Sequence, residues 1–136
     1  MPTGPWAASA GATVKIVRRP PALLVAVPGR LLPGVSGIAL GPVVLLRRDR
    51  FADPALRAHE LVHVRQFYRT LGLFPLLYLL WPAYRLRSEI EAYRVQIAMQ
   101  ATRAARLRMA EQAAAMLASG YFLDITLDRA HRLLVG

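Results

Sequence analysis

Read for hydrophobic and polar positions, the chain falls into two halves with different periods. Between Thr13 and Arg48 the apolar residues come in short runs rich in valine, isoleucine and leucine (TVKIV, ALLVAV and GIALGPVVLLRR), separated by proline and glycine. That is strand and turn chemistry, and it predicts two to four strands. Pro42, inside the last run, is expected to mark a sheet edge or bulge, because proline cannot donate to a ladder. From Asp53 onward the spacing is helical. Asp53 offers an acceptor side chain at the cap, and Pro54 has a fixed φ that suits the first turn and a missing N–H that costs nothing there. The helix they start is expected to run to Gly72, roughly eighteen residues, with that glycine as its stop. The apolar run Leu71 to Tyr84, LGLFPLLYLLWPAY, reads either as a short buried helix or as a packed loop kinked at Pro75 and Pro82. From Leu86 to Gly120, good helix formers without proline predict one long helix or two in succession. Thr126, with Asp128 in the following turn, predicts a last capped helix through Leu134. Strands first and helices afterwards give an α+β domain with a small, mainly antiparallel N-terminal sheet.

Composition narrows this picture. At 136 residues the chain is expected to be a single domain, with residues 1–12 a flexible leader. Hydrophobic residues make up 55% and charged residues 19%, which excludes wholesale disorder. There is no cysteine, so disulfides, thiolate metal sites and cysteine nucleophiles are all excluded, and any metal must be held by nitrogen and oxygen. The formal charge is +10, and Lys15 is the only lysine among the 18 basic residues. A polyanion would be attracted by such a field. The arginines are nevertheless scattered and no recognition motif accompanies them, so a solvated surface explains the charge better than a nucleic-acid interface. The first nineteen residues lack the charged start and apolar core of a secretion signal. The run 71–84 is too short to cross a bilayer unaided. A cytoplasmic protein is expected, with contact to a membrane surface through residues 71–84 open beside the plainer role of a core helix.

Candidate chemistry sits in the first predicted helix. There HELVH, His59 to His63, places two imidazoles at i and i+4, on one face and within reach of a single ion. Hydrolytic zinc takes three protein ligands and keeps a fourth position open. Glu60 points about 100° around the helix from His59, so it is poorly placed to be the third ligand. It is well placed beside a water at the ion, where a general base belongs. Glu89, Glu91, Asp124, Asp128 and His131 are the candidates for the third ligand. The metzincin pattern would need glycine at position 66 and histidine at position 69, where Gln66 and Arg69 stand. The plain alternative is an amphipathic helix whose two histidines are satisfied without metal.

HELVH followed by SEIEAYR resembles the gluzincin metallopeptidases. The short length, the strands before the motif and the wording HELVHVRQ are similar to the compact minigluzincins, over roughly Gly37 to Gln96. The resemblance implies a zincin-like fold and a zinc-dependent metallopeptidase acting on peptides or proteins. It implies zinc (Zn2+) held by His59, His63 and Glu89, with Glu60 as the catalytic base. Ala92, in the segment Glu89-Ile90-Glu91-Ala92, fits close packing of the two helices. Glu91 is about 200° from Glu89 around its helix and is expected to be a solvated partner of Arg87 or Arg94. The next position, commonly aspartate in larger gluzincins, is Tyr93. Tyr93, Tyr121 and His131 are candidate oxyanion partners. Latency belongs to the same group, which makes residues 121–136, YFLDITLDRAHRLLVG, a candidate tail over the cleft. Two other readings stay open. One is a basic helical protein on an anionic membrane or nucleic acid, with a structural or absent metal site. The other is a SprT-like metalloprotease near DNA, which would use a third histidine as ligand.

Overall fold

The computed structural model describes the backbone of Ile16–Arg19 and residues 22–136 in full. The leader, and the first part of the TVKIV run, lie outside the described residues. Among the described residues four strands come first, β1 (Ile16–Arg19), β2 (Ala22–Val27), β3 (Gly37–Leu40) and β4 (Val43–Arg47). Five helices follow, α1 (Pro54–Arg69), α2 (Phe74–Leu80), α3 (Pro82–Ala98), α4 (Arg103–Ser119) and α5 (Leu127–Val135). The class is α+β, as the succession of a strand half and a helical half predicts.

The sheet has the order β1-β2-β4-β3. The outer pairs β1–β2 and β3–β4 are antiparallel, and the central pair β2–β4 is parallel. The parallel pair arises because the chain leaves β2 for the far edge, forms β3 there, and turns back so that β4 inserts beside β2. That turn is where the reading of Pro42 needs correction. Leu40 pairs directly with Val43, so Gly41 and Pro42 form a two-residue hairpin loop rather than lying inside a strand. Gly41 takes a φ of 64°, which a residue without Cβ adopts freely, and the fixed negative φ of Pro42 suits the position after it.

Two cores flank α1 and α3. In the first, Ala22, Leu24 and Ala26 of β2 and Val44 and Leu46 of β4 pack against Phe51, Leu56 and Val64. The strand period of two and the helix period thus converge on one apolar layer. The second core joins α3, α4 and α5 through Tyr93, Ala113, Ala114, Leu117, Ile125, Ala130 and Leu134. Its alanines let helix axes come close. α1 packs against the sheet on one side and against α3 on the other.

The helix limits follow their caps. The Asp53 side chain accepts from the backbone N–H groups of Ala55 and Leu56, at 3.0 and 3.1 Å. α1 ends at Arg69, and Leu71 and Gly72 then turn the chain with φ of 53° and 84°. The apolar run beyond is a helix, α2, but not a buried one, for Phe74 is its only buried residue. Pro82 opens α3 four residues before Leu86, in the first-turn position where proline is at home. The helical stretch after it divides at Met99–Thr102, where the Thr102 hydroxyl caps α4. Thr126 caps α5 through the Arg129 N–H.

The tail therefore divides. Residues 127–135 form α5 and supply Ala130 and Leu134 to the second core, whereas Tyr121 and Phe122 line the cleft described below. Truncation after Gly120 is expected to strip Ile125, Ala130 and Leu134 from that core. In a denaturant titration against the intact chain it should cost more than about 3 kcal/mol.

Candidate metal centre

α1 brings three candidate positions, His59, Glu60 and His63, to its buried side, and α3 brings a fourth. His59, Glu60 and His63 are all buried, and so is Glu89 on α3. Ala92, wholly buried one turn after Glu89, leaves room for the two helices to approach. The Nε2 of His59 lies 3.5 Å from Glu89 Oε2, and the Nε2 of His63 lies 3.4 Å from Glu89 Oε1. Ligand atoms of the three residues all fall within 4.8 Å of one another, and among the described residues this is the only such group.

These distances are informative. A charge-assisted N–H to carboxylate bond would close to roughly 2.8 Å. Donors about 2.1 Å from one ion at the tetrahedral angle stand roughly 3.4 Å apart. Each spacing, to its own oxygen of Glu89, is close to that of two donors on one ion, and the group could hold a metal ion. The donor set agrees, because Glu89 Oε2 is buried without a hydrogen-bond partner, and such an atom is costly to leave unsatisfied. His59 Nδ1 is likewise buried without a partner.

His63 is held more firmly. Its Nδ1 donates to Gln66 Oε1 at 2.9 Å, which leaves Nε2 as the ring atom that could bind an ion. Gln66 is fixed in turn by Ser88, whose hydroxyl donates to the same oxygen at 2.6 Å, and its amide donates to Glu91 Oε2 at 2.9 Å. Glu91 is thus not a partner of Arg87 or Arg94. It faces α1, where it pairs with Arg69 at 3.0 Å and anchors Gln66. On the other side the Tyr78 hydroxyl of α2 donates to Glu89 Oε1 at 2.5 Å. Tyr93 sets its ring edge-on to His59, with centroids 4.5 Å apart, and shares a hydroxyl hydrogen bond of 2.7 Å with Tyr121.

Glu60 stands apart from this cluster. It lies beside β3, where a Cβ on Gly37 would come within 3.0 Å of Glu60 Oε1 and 2.8 Å of Leu46 Cδ2. Glycine at 37 is what makes room for the carboxylate. Burial pushes the Glu60 carboxyl above its ordinary range, against the pull of His59 and His63. Glu89 goes the other way: burial opposes its charge, but the two imidazoles overcome this and hold it well below the usual carboxylate range. Burial alone would depress His63, yet the Glu89 carboxylate beside it raises the ring to about 9.

All four side chains open onto one cleft of about 1440 Å³, which runs from the β3 edge past α1, α2 and α3 to Tyr121. The remaining ligand candidates lie elsewhere. Asp124 and Asp128 are exposed, and His131 lines a separate surface hollow with Glu111 and Arg132. Sequence reasoning missed Gln66, Ser88 and Tyr78 as supports. The available signals were a glutamine one turn after His63, a serine directly before Glu89, and one hydroxyl within an aliphatic run.

Two outcomes are expected. Gln66→Ala should weaken divalent-metal binding roughly 10- to 100-fold in a competition titration, with the fold retained. In protein stripped by a chelator, the raised His63 contributes stability that is complete below its ordinary 6.5 and lost as pH climbs through about 9. The depressed Glu89 contributes stability that is present above its ordinary 4.5 and lost in acid. The unfolding temperature of stripped protein should therefore fall from pH 6 to pH 9 more steeply than that of His63→Ala.

Comparison of the chain with family models, with curated proteins and with solved structures gives no match, so the reading of this centre rests on its own geometry.

Proposed function

We propose that the chain is a zinc-dependent peptidase of the gluzincin kind, with His59, His63 and Glu89 as metal ligands and Glu60 as the general base. The observation that carries this reading is the second carboxylate. Glu60 is buried on the same helix as the two imidazoles, opens onto the same cleft, and is left out of the ligand cluster. A site built only to hold a metal for stability has no use for a buried carboxylate beside it, and burial of such a group costs free energy.

Two histidines and a glutamate without any thiolate form a donor set typical of catalytic zinc. When bound, the ion supplies a Lewis acid that polarises a carbonyl and makes water a stronger acid. The chain's own residues do the rest. Glu60, buried on the same helix as the two imidazoles and opening onto the same cleft, is the carboxylate placed to take the proton of the attacking water. It then delivers that proton to the amine as the C–N bond breaks. Gln66 and Ser88 keep the His63 ring in one tautomer and orientation through this cycle. Residues 34–42 line the cleft along β3, whose outer edge offers unpaired backbone groups to an extended peptide. Self-inhibition, the other property the resemblance implies, would act through Tyr121 and Phe122, the part of the tail that borders the cleft.

A SprT-like arrangement needs a third histidine, and His131 lies outside the cleft. The competing ligand sets are separated by Glu89→Ala, which should lose zinc by elemental analysis under the present reading and keep it under the other. For catalysis, Glu60→Gln should retain one zinc per chain while peptide hydrolysis falls roughly 10²- to 10⁴-fold. If the zinc-loaded chain and Glu60→Gln are equally inert on a diverse peptide mixture, the peptidase reading fails and the metal is structural.

A further inference from the structure

The inner face of α2 is committed to the metal centre. Phe74 packs against His63, with centroids 5.7 Å apart, and Tyr78 donates to Glu89. Much of the rest of the segment is exposed, with Pro75 and Leu79 at the rim of the cleft. Leu79 and Leu80 are 73% and 69% exposed, and Trp81 is 59% exposed. On either side stand the two most exposed large apolar side chains among the described residues, Leu71 at 93% and Phe122 at 97%. Both take a φ of 53°, a backbone conformation that residues with a Cβ rarely adopt. Phe122 belongs to this surface although it is distant in sequence. The Arg85 guanidinium donates to the carbonyls of Leu79 and Phe122 at 3.2 Å each, which sets the two residues side by side.

We propose that α2 and the residues flanking it are a docking surface for an anionic lipid membrane. Charge decides the occupant. Between Glu60 and Glu89 the chain has no acidic residue and four arginines. Arg69 pairs with Glu91 and Arg85 with backbone carbonyls, while Arg65, on α1 within the field of Glu91, and Arg87, on α3, are exposed. An apolar surface with arginine beside it and an aromatic ring at its border is what the headgroup layer of an anionic bilayer accepts. No helix among the described residues is long and apolar enough to cross a membrane, so α2 would lie in the interface plane. A second copy of the chain is a poor occupant. A two-fold contact would set the arginines of residues 61–88, a stretch without an acidic residue, against their twins. Docking would turn the α2 side of the cleft toward the lipid. The proposal is independent of the peptidase reading, because its test does not use activity.

The test is cosedimentation of the intact chain with vesicles of phosphatidylcholine alone and of phosphatidylcholine with phosphatidylglycerol. Binding is expected to the second kind only, and to weaken as salt is raised. The variant Leu79→Ser/Leu80→Ser/Phe122→Ser changes exposed positions, so its unfolding temperature should stay near that of the parent. Its partition should be weaker on the order of tenfold or more. Arg65→Ser/Arg87→Ser should weaken binding and flatten its salt dependence. Failure to bind anionic vesicles at low salt overturns the proposal. So does binding that the triple variant leaves unchanged, since net charge alone would then explain it. A parent dimer in light scattering that the triple variant dissolves, without vesicle binding, assigns the surface to a second copy instead.

Discussion

A carboxylate buried to 2% exposure between two imidazoles is the constraint from which the rest of this structure follows. An isolated buried charge is too costly to keep, and one oxygen of Glu89 has no hydrogen bond to offset that cost. The chain must therefore present positive charge at that point, either as protons on the rings or as a cation between them. Its other oxygen is held by Tyr78, and the ring of His63 by Gln66 and Ser88. Polar atoms from α1, α2 and α3 thus meet in one buried network, where an incomplete set would be worse than none.

The centre depends on tertiary structure rather than on any one element. α1 is fixed by the sheet core and α3 by the helical core, and the candidate ligands lie on the surfaces where these two helices meet. Each core acts on the site at a distance: displacing either helix separates the imidazoles from the carboxylate. Gly37 adds a constraint from the sheet side, because the space at its missing side chain is where Glu60 sits. Ligand cluster and candidate base are held from opposite sides, which keeps Glu60 at the centre without drawing it into the donor set.

The sequence was most readable where chemistry is local. Asp53 with Pro54, Thr126 and the HELVH spacing depend on neighbours a few residues away, and the caps and shared helix face appear as expected. Helix limits were shifted where two signals competed: Gly72 is a good stop, but the left-handed Leu71 before it already turns the chain. Pro42 misled because a strand pattern continued on both sides of a two-residue turn. The parallel central pair of strands could not be read at all, since strand order depends on which edge a connection crosses. Glu91 was misassigned for a similar reason. Helical geometry shows that it points away from Glu89, but only the packing of α3 on α1 shows that Arg69 and Gln66 are waiting there. The supports Gln66, Ser88 and Tyr78 likewise acquire their roles only when three helices are brought together.

The Arg85 side chain joins two parts of the chain that are far apart in sequence. Its guanidinium reaches the carbonyls of Tyr78 and Leu79 at the end of α2, and those of Tyr121 and Phe122 beyond α4. Four acceptors in two directions call for a flat, forked donor, which a lysine ammonium cannot imitate. The lip of the cleft and the start of the tail are therefore riveted together and must travel as a unit. Parting them would cost all four of these hydrogen bonds at once.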